Sequence, residues 1–119
     1  MKNKLKLILW GKNLQLPMNY DNLKFDRYEL NDDNGYELFL YKNNKKIKEI
    51  WYWDNGNKWY EENYKNGIQD GKQYWWYGDG ELEYEWNYKD GKENGKRYSW
   101  RRNGMLYYKY NYKNGELIK

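Results

Sequence analysis

The chain repeats itself every 24 residues, and this constrains its fold more than any other feature. Residues 63–86, NYKNGIQDGKQYWWYGDGELEYEW, align without gaps on residues 87–110, NYKDGKENGKRYSWRRNGMLYYKY, and a further copy, NYKNGELIK, begins at Asn111 and is cut short. Tyr64, Tyr88 and Tyr112 coincide in this register, as do Gly67, Gly91 and Gly115, Gly80 and Gly104, and Leu82 and Leu106. An earlier, degenerate copy runs over residues 41–62, with one residue missing near Asn44. Stacked copies of one small unit make an array in which each unit supports its neighbours.

Within each unit a short polar turn separates two aromatic-rich runs: Asp54-Asn55-Gly56, Gly78-Asp79-Gly80 and Arg102-Asn103-Gly104. Asn-Gly and Asp-Gly pairs there predict β-hairpins whose two central residues both take positive φ. In the second unit the strands are expected over about residues 72–77 and 82–88, with the glycine-rich stretch 89–95 turning the chain toward the next hairpin. The predicted fold is all-β: an elongated array of tandem antiparallel hairpins that stack or extend one sheet. Residues 1–40 are read as an N-terminal β cap or worn repeats, and residues 41–119 as the array.

Composition agrees with strands. The chain holds 16 Tyr and 8 Trp against 2 Phe, and has no Ala, Val, Thr, Cys or His. Strand-forming tendency therefore comes from aromatic side chains, while the best helix former is absent. Lack of cysteine removes disulfides and thiolate sites, and lack of histidine removes the commonest general base and metal ligand. A net charge of +4, from 22 basic and 18 acidic residues, is mild and mixed in sign, so nucleic acid is not an expected partner. Lys6 interrupts the short apolar run near the start and no small-residue cleavage site follows, so no signal peptide is read. No apolar stretch approaches the ~20 residues that cross a bilayer, and a soluble, cytoplasmic protein is expected.

Alternation along the strands divides side chains between two faces. One set, Tyr74, Trp76, Leu82, Tyr84, Trp86 and Tyr88, recurs as Tyr98, Trp100, Leu106, Tyr108, Tyr110 and Tyr112, and is read as the buried face. The other set varies: Trp75, Tyr77, Glu83 and Glu85 in one copy, Arg97, Ser99, Arg101, Tyr107 and Lys109 around the next. In the same phase Trp51, Trp53 and Trp59 point outward, giving with Trp75 and Tyr77 an exposed aromatic strip suited to binding. The competing reading has the N-terminal cap, whose residues 5–10 and 23–40 carry apolar side chains, folded over this strip. Charge along the outer face shifts from Glu61, Glu83 and Glu85 to Arg97, Arg101, Arg102 and Lys109, which orients a partner or forms an ordinary solvated face.

The pattern YKNG-x-x-[DN]GK-x-Y-x-W-x-x-[DN]G-x-L-x-Y over residues 41–119 resembles the MORN repeat, especially its shorter-signature variant from bacterial proteins and large DNA viruses of amoebae. It differs in that the common eukaryotic unit is one residue shorter, and the N-terminal third matches poorly. The resemblance implies a twisted sheet of consecutive hairpins with aromatic residues packed in its groove and glycines at the turns. It also implies scaffolding, dimerisation or membrane association, or, for bacterial variant-repeat proteins, an antitoxin or immunity role. Fold alone does not choose among these.

No constellation favours catalysis. Glu83 and Glu85 are a pair of carboxylates beside Trp75, as glycoside hydrolysis uses, but on an open strand they are read as solvated charge. Ser99 is the only serine and has no histidine to activate it. The Asp and Asn clusters at the turns lack EF-hand spacing, and GIQDGK and GKENGK precede strands where a phosphate loop needs a helix. The expectation is a non-enzymatic module without cofactor or metal. It binds a protein through Trp51, Trp53, Trp59, Trp75, Tyr77 and Tyr107, with acidic lipid headgroups on Arg97, Arg101, Arg102 and Lys109 as the alternative and carbohydrate stacking on the Trp residues as a third. A weak homodimer through the open C-terminal strand edge is expected as well.

Overall fold

The computed structural model describes residues 8–9, 12–33 and 35–119. Residues 1–7, 10 and 11 of the N-terminal lysine-rich, apolar stretch, including Lys6 and Trp10, lie outside the described residues, as does Asn34. Strands β1 (Ile8–Leu9) and β2 (Lys12–Asn13) pair as a short ribbon, and a single 3-10 turn follows at Tyr20–Asn22. The rest is strand: β3 (Arg27–Asn31), β4 (Tyr36–Lys42), β5 (Lys45–Tyr52), β6 (Lys58–Lys65), β7 (Ile68–Gln69), β8 (Gly71–Trp76), β9 (Leu82–Lys89), β10 (Lys92–Glu93), β11 (Gly95–Trp100), β12 (Leu106–Lys113) and β13 (Glu116–Ile118).

The strands β3 to β13 form one open antiparallel sheet in which neighbours in sequence are neighbours in space, with β7 and β10 as short flaps on β6 and β9. The tandem-hairpin, all-β architecture expected from the repeat is the one the chain adopts. Its radius of gyration is 15.1 Å, against roughly 13.5 Å for a compact domain of this length, so the array is elongated.

Two kinds of turn alternate along it. Asn66-Gly67, Asp90-Gly91 and Asn114-Gly115 have positive φ at both residues and close the β6–β7, β9–β10 and β12–β13 hairpins. The Asn-Gly turns at 55–56 and 103–104 and the Asp-Gly turn at 79–80 differ from expectation: only the glycine has positive φ. The preceding Asn or Asp instead accepts the backbone N–H two residues on, at 2.9 Å from Asn57, 3.0 Å from Glu81 and 3.0 Å from Met105. The amides of Gly56, Gly80 and Gly104 reach back to the carbonyls of Trp53, Tyr77 and Arg101, closing one-turn loops with the same 24-residue period.

Beyond each of these turns the returning strand carries one extra residue. Trp51 faces Tyr60 and Tyr52 faces Lys58, leaving Trp59 over; Glu83 and Tyr107 are left over in the same way. A β-bulge breaks the alternation, and hairpin register then decides which residues share a face. Tyr74 lies opposite Glu85, Trp75 opposite Tyr84 and Gln73 opposite Trp86. The single buried set expected from alternation is therefore split. Tyr74, Trp76, Tyr98 and Trp100 lie on one face with Glu61, Glu85 and Lys109, while Tyr84, Trp86, Tyr88, Tyr108, Tyr110 and Tyr112 lie on the other with Trp51, Trp75 and Arg97.

The first face is covered at one end. Residues 14–25 lie across it, and Leu14, Phe25, Leu38, Leu40, Ile50 and Tyr52 form the core, each nearly or wholly removed from solvent. The Tyr52 hydroxyl donates to the Gln15 carbonyl at 2.8 Å, and the Gln15 amide N–H donates to the Gly56 carbonyl at 2.9 Å. At ~25 cal/mol per Å² of buried apolar area, the burial of Leu14 and Phe25 against Leu38, Leu40, Ile50 and Tyr52 of the sheet stabilises the cap. Residues 14–25 thus pack on the face opposite to the Trp51–Trp75 strip, so the competing reading of a cap over the strip does not hold for them, and residues 5–7 and 10, which it also invoked, lie outside the described residues. We call the first face the capped face and the second the aromatic face.

Candidate functional site

Beneath the cap, Glu61 is fully buried and accepts the Lys48 ammonium at 2.8 Å, the Lys58 ammonium at 3.3 Å and the Met18 backbone N–H at 3.0 and 3.1 Å. Glu61, expected from the sequence on the outer face with Glu83 and Glu85, is instead in the interior. Burial lowers the Lys58 pKa, opposed by Glu61, and Lys58 Nζ also sits 4.4 Å above the Trp76 ring. Every polar atom of the Glu61 carboxylate is spoken for, so this cluster is a structural anchor for the cap.

The aromatic face is where unsatisfied chemistry lies. Its rings run in a continuous path: Trp53 to Trp59 at 4.9 Å between centroids, Trp59 to Trp51 at 5.4 Å, Trp51 to Tyr60 at 5.5 Å, Tyr60 to Trp75 at 5.0 Å and Trp75 to Trp86 at 4.9 Å. The bulge makes this path possible, because the extra residue places Trp59 beside Tyr60 on the same face. Trp59 is 38% exposed, and Trp51, Trp53 and Trp75 are half-buried. Ring pairs of this kind contribute ~0.5–1.5 kcal/mol each, so the strip is rigid as well as open to solvent.

Two clefts flank the Trp51–Trp59 pair. One, of about 420 Å³, is lined by Tyr36, Glu37, Trp51, Trp53 and Trp59 with the turn at Asp54 and Asn55. The other, of about 350 Å³, is lined by Glu49, Trp51, Trp59, Tyr60, Glu62 and Trp75. Glu49 and Glu62 stand directly opposite each other across β5 and β6. Glu49 accepts the Lys46 ammonium at 2.7 Å and the Trp51 indole N–H at 2.8 Å. Glu62 accepts the Tyr64 hydroxyl at 2.7 Å and the Gln69 side-chain amide, both on Oε1. Burial, followed by the hydrogen bond to Glu62, raises the Tyr64 pKa.

The remaining sequence-derived candidates do not join the strip as one surface. Tyr77 takes the place Trp53 has in the preceding copy, and both reach forward: Trp53 Nε1 donates to the Trp76 carbonyl at 3.3 Å and the Tyr77 hydroxyl to the Trp100 carbonyl at 2.9 Å. Arg102 lies 4.7 Å from the Tyr77 ring centre and Arg101 4.5 Å from that of Tyr107, which is 61% exposed. Arg97 is engaged by Glu93 through two bonds of 2.6 Å, and its guanidinium rests 4.2 Å over Trp86 and 4.6 Å over Tyr112. The Glu93 bond raises its pKa. Lys109 faces Tyr98 on the opposite side of the sheet from Arg97. The four basic residues thus do not form one patch, and the carboxylates of Glu83 and Glu85 are also separated, since Glu83 is the bulge residue and Glu85 pairs with Lys72 at 3.0 Å beside Tyr74.

Glu49, Tyr60 and Glu62 were absent from the sequence-derived site. The signal available was the copy-to-copy change at one place: Glu49 and Glu62 become Gln73 and Trp86, then Arg97 and Tyr110. Among the described residues no helix is long and apolar enough to cross a membrane. Comparison of the chain with protein-family models, with curated proteins and with solved structures gives no match.

Proposed function

We propose that this chain is a non-catalytic, MORN-like repeat protein of the cytoplasm that serves as a protein-interaction or scaffolding module, its contact surface being the aromatic face around Trp51, Trp53, Trp59 and Trp75. One observation carries the reading: a continuous path of indole and phenol rings stands on the face that the described cap leaves bare, while Leu14 and Phe25 of the cap are buried on the other face. Large aromatic side chains in an open, rigid cluster supply contact area at little cost in conformational entropy. Neutralisation of a toxin by an antitoxin or immunity protein is a specific case of the same surface.

The test is retention of a partner from native extract by the wild-type chain and by Trp59→Ala plus Trp75→Ala, with Tyr107→Ala as a control on the same face. Loss of the partner only in the double variant is expected, and equal retention by all three contradicts the reading. The lipid alternative draws less support, because Arg97 already holds Glu93 and Lys109 faces the other way. Self-association draws on β12, where among the described residues Leu106 and residues 108–110 pair with β11 alone and Leu106 and Tyr107 are exposed. A mass independent of concentration by light scattering would dismiss it.

A further inference from the structure

We infer that the cleft between Trp51, Trp59, Tyr60 and Trp75 is a receptor for a single arginine side chain presented by a partner protein, with Glu62 and Glu49 as its anionic floor. The inference rests on the proposed role of the aromatic face and names the chemistry of what that face takes.

Three observations converge on it. First, Glu62 is only 6% exposed, lines the cleft, and has no ion pair with a described cation; its bonds come from the neutral Tyr64 hydroxyl and Gln69 amide. A carboxylate so far removed from water is costly unless a positive charge meets it. Lys46 approaches Glu49, so the pair of carboxylates retains one uncompensated negative charge.

Second, the repeat does not require these acids. Like charges directly opposite on a ladder are unfavourable, and the same two places hold Gln73 with Trp86 and Arg97 with Tyr110 in the following copies, on the same backbone. The same backbone carries a neutral pair in one following copy and a cation with a phenol ring in the next, so the repeat does not dictate an acidic pair at these two places.

Third, the molecule shows on this same face what fills such a place. In the last copy the Arg97 guanidinium lies over Trp86 and Tyr112 and is gripped by both oxygens of Glu93. Arginine suits an aromatic wall beside a carboxylate because its planar, weakly hydrated head stacks on rings while its N–H groups pair in two directions. In the first copy Lys46, paired with Glu49, lies 4.3 Å over Tyr64, the counterpart of Tyr112, and the cleft beside it offers the indole rings and the Glu62 carboxylate without a cation of their own among the described residues.

The experiment titrates the full chain with acetyl-Gly-Arg-Gly-amide and with the same peptide carrying citrulline, a neutral isostere, following the tryptophan indole N–H signals by NMR. The arginine peptide is expected to shift the Trp51 and Trp59 signals saturably, with the citrulline peptide weaker by about tenfold or more. Glu62→Gln, which preserves shape and acceptor, is expected to reduce arginine binding by about tenfold, and Glu49→Gln by less because Lys46 already offsets that charge. Equal binding of both peptides, unchanged binding by Glu62→Gln, or shifts produced only by a neutral oligosaccharide would overturn the inference. Should Glu62→Gln fail to fold, the peptide comparison on the wild type decides alone. A partner whose capture needs Trp59 but survives Glu62→Gln overturns the arginine receptor and leaves the interaction surface standing; a partner indifferent to Trp59 overturns both.

Discussion

Lys48 with Glu61, Lys72 with Glu85 and Lys96 with Lys109 occupy one place in three successive copies, but the first pair is sealed from water and the last pair carries like charge in solvent. The backbone around them is the same: an Asn- or Asp-assisted loop, a bulge one strand on, and a tight Asn-Gly or Asp-Gly turn. What differs is the cover. Residues 14–25 lie over the first copy, where the Met18 amide joins the Glu61 cluster, and the capped face of the later copies lacks that cover. The repeat therefore specifies where the chain turns and bulges, and the cap specifies which copy has an interior.

The largest expected effect comes from removing the buried acid. Glu61→Ala leaves Lys48 and Lys58 facing each other out of water and is expected to cost ~3–5 kcal/mol in denaturant unfolding. Glu85→Ala, whose partner Lys72 is half in solvent, is expected to cost under ~1 kcal/mol. Equal costs would mean that cover does not distinguish the copies.

Alkali sharpens the same contrast. Burial raises the hydroxyl pKa of Tyr41, Tyr52, Tyr64, Tyr74, Tyr84 and Tyr88, all on strands from β4 to β9, with Tyr74 pushed up to about 12. In the unfolded chain these groups ionise near 10, so above that pH the folded state holds more protons. Their stabilisation is complete below about pH 10 and is lost as pH climbs toward the raised folded values. Lys58 acts oppositely: its lowered pKa adds stability as pH rises toward the ordinary 10.5. Six tyrosines outweigh one lysine, so unfolding free energy measured from pH 9 to 12 is expected to fall, and a rise would contradict the burial described.

A smaller effect isolates packing between copies. Gly91 and Gly115 fill the same turn position with φ of 85° and 88°, but a Cβ at 91 would lie 3.0 Å from Ile68 Cγ2 whereas one at 115 meets nothing within 4 Å. Gly115→Ala is expected to show left-handed strain alone, about 1 kcal/mol, and Gly91→Ala a larger cost. Equal thermal shifts would show that Ile68 moves aside freely.

Much of this architecture was legible in the sequence, since Gly56, Gly80 and Gly104 with their Asn or Asp neighbours mark the loops, and the spacing implies hairpins that either stack or extend one sheet. The two faces were not legible. A single extra residue, Trp59, Glu83 or Tyr107, reverses the alternation after it, and no propensity announces a bulge. Of the strip expected from alternation, Trp51, Trp53, Trp59 and Trp75 lie along one path of rings because the bulge keeps Trp59 beside Tyr60, whereas register puts Arg97 and Lys109 on opposite faces. Glu61 looked like an outer charge because the residues that bury it come from more than forty positions away. The missing residue near Asn44 also has a structural counterpart: β5 runs unbroken from its turn, whereas the later copies break at Asp70 and Asn94 into a flap and a strand.

Whether the aromatic face of the first copy is the binding surface can be read from the indole N–H spectrum, because the Trp residues report on both faces. Trp51, Trp53, Trp59, Trp75 and Trp86 lie along the aromatic face, and Trp76 and Trp100 on the other. Addition of the arginine peptide, or of a captured partner, is expected to move Trp51 and Trp59 most, Trp75 next, and Trp76 and Trp100 little. Shifts centred on Trp76 and Trp100, or spread evenly over both faces, would contradict binding there.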